Sequence, residues 1–203
     1  MAPSGSSASP STRLMENMPG SQPAEISAVV LPACAAASTA ALYVAAAARF
    51  LAEAERLWAS VDVQGFATWC GAGLARAQVE HGTTDEAAET LARVHGYVRP
   101  GMTLNEHLVH IAEAWVATAQ GDRAAATEAL ERAIERATDG AQWTNLAETW
   151  HEAARLDLLD LLSGFDEWQR PSGVLAATRY DMVAARRSGD PAALEAVSRR
   201  FEE

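Results

Sequence analysis

Two histidines spaced for metal binding are the first candidates for chemistry in this chain. His107 and His110 stand three residues apart in a stretch with helical periodicity, and Glu106 and Glu113 lie beside them. On a helix this spacing brings both imidazoles to one side, where they could hold a metal ion such as zinc. A third ligand would have to come from another helix, and no residue marks it. We therefore expect solvated or core-edge histidines and no bound metal.

Other catalytic arrangements find no support. Cys70 and Ser172 have no histidine at a spacing typical of nucleophilic catalysis. All 16 basic residues are arginine, so the chain has neither a Schiff-base lysine nor the lysine of a Walker-type phosphate loop. The sequence predicts a protein that is not an enzyme and that carries no cofactor.

A set of aromatic and histidine side chains forms the alternative candidate site. The set consists of Trp69, His107, His110, Trp115 and Trp143. These side chains would line a concave groove for a peptide or small ligand. They could equally fill an alanine-rich core, where the six tryptophans supply the bulk that alanine lacks. Trp150 is expected in the core, whereas Trp143 lies near a predicted helix start and stays open between the two roles.

Composition restricts the partners. The 203-residue chain has a formal net charge of −11 and a pI near 4.9. Sequence-independent binding to nucleic acid or to an anionic membrane needs a basic face, so we expect neither direct nucleic-acid binding nor membrane binding. Cys34 and Cys70 lack the number and spacing of a disulfide framework or a metal site, which is typical of reduced thiols in the cytoplasm.

The N-terminal part of the chain divides into two segments. Residues 1–23 are rich in Ser, Pro and Gly and are expected to be disordered. Residues 24–62 are predicted to be an N-terminal helical segment, either one long helix or two with a bend. Its stretch Ala28–Phe50 holds one charge, Arg49. Because alanine is nearly neutral on insertion scales and Pro32 interrupts the stretch, a buried helix is favoured over a membrane span or an export signal.

Residues 63–203 contain three similar helix joints. The joints centre on Gly82, Gly121 and Gly189. Each combines a glycine able to end a helix, a capping residue and an alanine-rich helix start. At the first joint Thr83 and Glu86 also have the spacing of a capping box. The chain is therefore predicted to be all-α, an antiparallel helix-hairpin array of the tetratricopeptide-like solenoid type.

The spacing around the glycines indicates degenerate repeats. The tetratricopeptide pattern requires small or bulky side chains five, nine and twelve residues after each turn glycine. These positions hold Ala87, Leu91 and Val94, then Ala126, Leu130 and Ala133, and finally Leu194, Ser198 and Phe201, which fit less well. Gly82 and Gly121 are 39 residues apart, against about 34 in the standard repeat. The 68 residues from Gly121 to Gly189 make two units, in which a helix from Trp143 to about Leu162 is predicted.

Three stretches resemble the helical region of large LuxR-type transcriptional regulators of actinobacteria, the class with an ATPase module. They are Ala112–Ala126 (AEAWVATAQGDRAAA), Thr149–Leu156 (TWHEAARL) and Ala184–Glu203 (AARRSGDPAALEAVSRRFEE). The resemblance covers roughly residues 63–203. In that family a nucleotide-binding module precedes the repeats and a helix-turn-helix DNA-binding domain follows them. Because this sequence has no glycine-rich phosphate loop and no segment after Glu203, we expect neither role here.

The resemblance implies a sensor or scaffold segment. We expect a cytoplasmic protein-interaction or ligand-sensing scaffold related to transcriptional regulation, with a protein or peptide partner or a small-molecule effector. Binding would use the concave face formed by the first helices of the pairs. The alternative is a truncated regulator remnant with no independent activity.

Overall fold

The computed structural model describes residues 44–61, 64–98 and 105–201, and in these ranges the chain is helical with no strand. The α-helices are α1 (Val44–Ala59), α2 (Phe66–His81), α3 (Thr84–His95), α4 (Glu106–Ala119), α5 (Arg123–Asp139), α6 (Trp143–Arg155), α7 (Val174–Ser188) and α8 (Pro191–Arg200). Two 3₁₀ turns, Leu159–Leu161 and Phe165–Glu167, separate α6 from α7. The all-α prediction is confirmed for the described residues.

The N-terminal predictions fall largely outside these ranges. The predicted disorder of residues 1–23, the beginning of the helical segment 24–62 and Cys34 are not among the described residues. The end of the apolar stretch Ala28–Phe50 forms the start of α1. Within the described ranges no helix has both the length and the apolar character needed to cross a bilayer.

The three predicted glycine joints end their helices as expected. Gly82, Gly121 and Gly189 have φ values of 87°, 81° and 65°. These values lie in the left-handed region, which glycine enters without a steric penalty. At the first joint the N–H groups of Gly82 and Thr83 donate to the carbonyls of Val79 and Gln78. Each joint thereby turns the chain directly into the next helix.

The caps after the joints agree only in part with the sequence prediction. Asp122 accepts a hydrogen bond from the N–H of Ala125 at 3.0 Å. Asp190 caps α8 in the same way, and Pro191 follows at the first helical position. The capping box at Thr83 was a wrong prediction, because no side chain caps α3. The Thr83 hydroxyl instead donates to the carbonyl oxygen of Gln78 at 3.2 Å, which helps to close the end of α2.

The predicted helix from Trp143 to Leu162 is wrong at its C-terminal end. Helix α6 stops at Arg155, and Asp157 adopts a φ of 58°. The N–H of Leu158 then donates to the carbonyl of Ala153, closing the helix end as a glycine joint would. The two 3₁₀ turns follow, so only one long helix lies between α5 and α7.

The core is built largely from alanine around a few bulky side chains. One group joins α1 to α2, a second joins α2, α3 and α4, and a third runs from α4 to α7 around Trp150 and Leu130. Gly71 allows the closest helix approach, since a Cβ at this position would stand 2.4 Å from a methyl group of Val94. Trp150 lies in the core as predicted.

Consecutive helices pack against each other in chain order, and some first helices of the pairs also touch. Helix α2 packs on α4, α4 touches α6, and α6 packs on α7. Asn105 at the start of α4 donates to the carbonyl of Gly65 at the start of α2. Glu148 and Arg179 pair midway along α6 and α7, while Asp157 and Arg186 pair at their far ends. These contacts place α2 beside α4, and α6 beside α7, with each pair running in the same direction.

Candidate functional site: an aromatic cleft and a buried ion cluster

An open cleft lies between the N-terminal ends of α6 and α7. Its volume is about 550 Å³. The cleft is lined by Trp143, Thr144, Glu167, Trp168, Gln169, Arg170, Pro171, Ser172 and Ala176. Trp143 is 51% exposed, so its indole remains open to a ligand. Most of the other lining residues belong to the irregular segment that takes the place of a second helix in the third unit.

An aromatic stack supports one wall of this cleft. Trp168 lies edge-on to Tyr180 with ring centroids 5.2 Å apart, and Phe165 stacks on Tyr180 at 5.0 Å. Phe165 in turn contacts the buried Trp150 at 5.4 Å. Such aromatic contacts are worth about 0.5–1.5 kcal/mol beyond their buried area. The stack therefore anchors the irregular segment to α6 and α7 without regular backbone hydrogen bonding.

The charges at the cleft are unequally neutralised. Arg170 binds Asp181 through two hydrogen bonds of 2.6 and 2.7 Å, and Arg200 reaches the same carboxylate at 2.7 Å. The hydrogen bond from Arg170 lowers the pKa of Asp181, against the opposing effect of burial, and Arg200 lowers it further. Glu167 is exposed, and none of the described residues forms an ion pair with it. The guanidinium of Arg170 is thus already paired, while the carboxylate of Glu167 is open to a ligand.

A second cluster lies where α2, α4 and α6 meet, centred on the carboxylate of Glu152. The side chain of Glu152 is 3% exposed and that of Arg76 is 9% exposed, with Nη1 of Arg76 3.2 Å from Oε1 of Glu152. The indole N–H of Trp115 donates to Oε2 at 3.0 Å. Arg155 completes the cluster at 3.1 Å from Oε2, and its guanidinium also lies over the Trp115 ring, 4.8 Å from the centroid. We call these four residues the Glu152 cluster.

Two neighbours extend the Glu152 cluster. Glu80 of α2 pairs with Arg155 at 2.5 Å, and Nδ1 of His151 lies 3.4 Å from Oε1 of Glu152. The ring of His151 also lies 5.6 Å from that of Phe201 just after α8. The cluster therefore ties the first helices of three successive units together through side chains.

The electrostatics of Glu152 favour a structural role over acid or base catalysis. Burial alone would raise the pKa of Glu152, but the charge of Arg76, the close contact with His151 and the charge of Arg155 together lower it far below its ordinary value. Burial acts to lower the pKa of Arg155, and the carboxylates of Glu152 and Glu80 outweigh it and raise that pKa. Because the carboxylate stays ionised at neutral pH, it has no proton to donate and accepts one poorly.

The two histidines of α4 differ in their surroundings, since His110 contacts a carboxylate and His107 is buried. Nδ1 of His110 lies 2.9 Å from Oε2 of Glu113, which also binds Arg132 at 2.9 Å. Burial would raise the pKa of Glu113, but His110 and Arg132 lower it to about 2. His107 is 3% exposed. Among the described residues no three His, Cys, Asp or Glu side chains are grouped so that they could hold a metal ion.

The five residues of the predicted groove have their contacts in different places. Trp69 packs on the α1–α2 core beside Phe66, at a ring distance of 6.1 Å. Trp115 belongs to the Glu152 cluster, and Trp143 to the cleft. His107 is buried and His110 pairs with Glu113. Their described contacts therefore connect them to separate surroundings rather than to one another.

Sequence reasoning missed the residues that complete both sites. For the segment that holds Glu167 and Trp168, the sequence indicated only a break between helices. Helices α3, α4 and α5 lie between Arg76 and Glu152 in the chain, so no local spacing relates these two residues. The sequence did single out one member of each site, Trp143 of the cleft and Trp115 of the Glu152 cluster, as bulky aromatic residues of the candidate set.

Comparison with known proteins adds no relative from which a function could be transferred. No protein-family model matches the chain, and no curated protein or solved structure matches it. Arguments about function therefore depend on the geometry of the chain itself.

Proposed function

We propose that this chain is a tetratricopeptide-like helical-repeat scaffold that binds a protein or peptide partner, related in role to the helical region of LuxR-type regulators. The observation that carries the proposal is the side-by-side arrangement of the first helices of the pairs. Repeat arrays present such helices as a continuous binding surface, and they act by shape-complementary binding rather than by chemistry.

Corresponding positions of the first helices support this proposal. Arg76, Trp115 and Glu152 stand near the same level of α2, α4 and α6, and both Arg76 and Trp115 contact the carboxylate of Glu152. By contrast, the second helices α3 and α5 have no extensive contact within the described residues. A curved array requires first helices that touch and second helices that diverge. Its first helices then lie on the inner side.

Small buried residues support it as well. Ala75 of α2 and Ala114 of α4 are fully buried, at the position seven residues before the joint glycines. Ala87 and Ala126 are equally buried five residues after them. Small side chains at these places let the two helices of a pair approach closely, which is the packing that the repeat pattern encodes.

The cleft between α6 and α7 is the proposed binding surface. The Glu152 cluster fills the junction of α2, α4 and α6, whereas the cleft at α6 and α7 leaves Trp143 half exposed. Exposed tryptophans in concave surroundings supply much of the binding energy in protein interfaces. A partner peptide would therefore dock at the cleft, with the ion cluster holding the neighbouring helices in place.

Selection from a displayed library of random dodecapeptides tests the proposal. We expect the wild-type chain to enrich a shared motif, and the Trp143→Ala variant to lose it. Phe50→Ala is a matched control, since Phe50 is an aromatic residue of α1 with 52% exposure, outside the cleft. Enrichment of no motif by the wild type, or an equal loss in both variants, would count against a peptide-binding scaffold.

A further inference from the structure

The walls of the cleft suit a cation carried on an apolar stem. Two indoles, Trp143 and Trp168, line the cleft, together with the ring of Pro171. The face of an indole is the strongest of the aromatic attractors for an ammonium or guanidinium group. The methylene chain of an arginine or lysine can meanwhile pack along apolar surface while its charged end remains paired.

The charges around the cleft select the same chemistry. Glu167 supplies a carboxylate that no described residue pairs, whereas Arg170 already donates two hydrogen bonds to Asp181, a carboxylate that it shares with Arg200. A cationic group would find an open counter-ion in Glu167 beside the exposed indole of Trp143, so the placement of Glu167 favours a cation at this wall of the cleft.

The net negative charge of the whole chain also favours a cationic ligand. The net charge is −11, and all of the positive charge is carried by arginine. A strongly acidic protein attracts cationic ligands over a distance of about one Debye length, roughly 8–10 Å at moderate salt. Approach of a basic segment to the cleft is therefore favoured before any contact forms.

We propose that the Trp143–Trp168 cleft receives one arginine or lysine side chain of a partner peptide, with its charged group against the indole of Trp143 and paired with Glu167. This inference rests on the proposed peptide-binding function and names the chemistry of the partner. The partner is thus a basic segment, and the specificity-determining residues of this chain are Trp143, Trp168 and Glu167.

The experiment begins with the peptides that the wild-type chain selects from the dodecapeptide library. We expect arginine or lysine at one position of the selected motif. A synthetic peptide of that motif and the same peptide with the basic residue replaced by citrulline, a neutral isostere of arginine, are then titrated by fluorescence polarisation. Loss of one cation–indole contact and its ion pair is expected to weaken binding by about 3- to 30-fold.

Variants of the chain locate the contact. We expect Glu167→Gln to weaken the basic peptide but not the citrulline peptide, and Trp143→Ala to weaken the basic peptide by at least as much as Glu167→Gln does. Glu128→Gln is the matched control, because Glu128 is an exposed glutamate on α5 and outside the cleft. It is expected to leave both affinities unchanged.

The outcomes separate this inference from the function on which it rests. Two results would overturn the cation site while leaving a peptide-binding scaffold intact. One is a selected motif without a basic residue. The other is a basic peptide whose affinity is unchanged by both Glu167→Gln and Trp143→Ala. Equal weakening by Glu128→Gln and Glu167→Gln also overturns it, because only the general charge of the chain would then be at work. Selection of no peptide at all overturns both.

Discussion

Replacement of Glu152 by glutamine is expected to destabilise the fold strongly although the shape of the side chain is preserved. The amide can still accept a hydrogen bond from the indole of Trp115, but it carries no charge. Arg76, with a side chain only 9% exposed, would then be a buried cation whose only ion-pair partner in the described part of the chain has been removed.

The size of the loss in unfolding free energy follows from the ion-pair partners that remain around Arg76 and Arg155. Arg155 keeps its pair with Glu80 and is 27% exposed, so it loses little. Arg76 loses its partner in a nearly water-free setting, and removing one partner of such a buried pair costs about 3–5 kcal/mol. The free energy of unfolding is thus expected to fall by about 3 kcal/mol, a large part of the roughly 5–15 kcal/mol that holds a typical domain together.

Urea denaturation followed by circular dichroism measures this change. Glu148→Gln is the matched control, since Glu148 lies on the same helix and pairs with Arg179 at 3.4 Å with more exposure. Its loss is expected to cost about 1 kcal/mol or less. The double variant Arg76→Leu with Glu152→Leu is expected to recover most of the stability, because it removes both buried charges together.

The same pair predicts a pH dependence. The pKa of Glu152 in the folded chain is lowered from its ordinary value, so its ionised form stabilises the fold above the unfolded pKa of about 4.3. This contribution is lost as the pH falls through the lowered value. The difference in the free energy of unfolding between wild type and Glu152→Gln is therefore expected to be largest near pH 7 and to shrink below about pH 4. A gap under about 0.5 kcal/mol at pH 7 would refute the reasoning about the buried pair.

Three further substitutions test local features of the fold by the same unfolding measurement. Asp157→Gly is expected to raise stability by about 0.5–1 kcal/mol, because glycine removes the strain of a left-handed residue and the ion pair lost with Arg186 is exposed; lower stability would contradict this. Gly121→Ala is expected to cost about 1 kcal/mol through its positive φ alone, since a Cβ there meets open space; no loss would mean that the joint tolerates an L residue. Glu113→Gln is expected to cost about 1–2 kcal/mol at pH 7, and the wild-type advantage to fade as the pH falls from about 4.5 toward 2; an advantage that persists at pH 2 would contradict it.

The helices and three of their joints could be predicted because their signals are local. A glycine in the left-handed region followed by Asp122 or Asp190 is a pattern that neighbouring residues alone produce. The end of α6 could not be predicted in this way, because Asp157 takes the left-handed conformation that glycine usually marks. At Thr83 the pattern was present but the hydroxyl found another acceptor, so a capping box in the sequence did not become one in the structure.

The sites were less predictable because their members meet only in three dimensions. No pattern in the sequence singles out Glu152, yet the fold buries its carboxylate against Arg76 of a helix distant in the chain. The sequence left Trp143 undecided between groove and core, and its companion Trp168 is held in place by Tyr180 and Phe165 from separate elements. Hydrophobic periodicity describes which face of a helix is buried, and it carries no information on which distant side chain lies against that face.

The position of the cleft follows from the irregular segment that separates α6 from α7. The strained residue Asp157 ends α6 early, and the chain continues as 3₁₀ turns that carry Glu167, Trp168 and Arg170 to the cleft. Departures from local sequence–structure rules tend to gather at functional sites, where another gain offsets their cost. Here the departure lies beside the exposed Trp143 and Glu167, which is why the proposed binding site is placed at this segment.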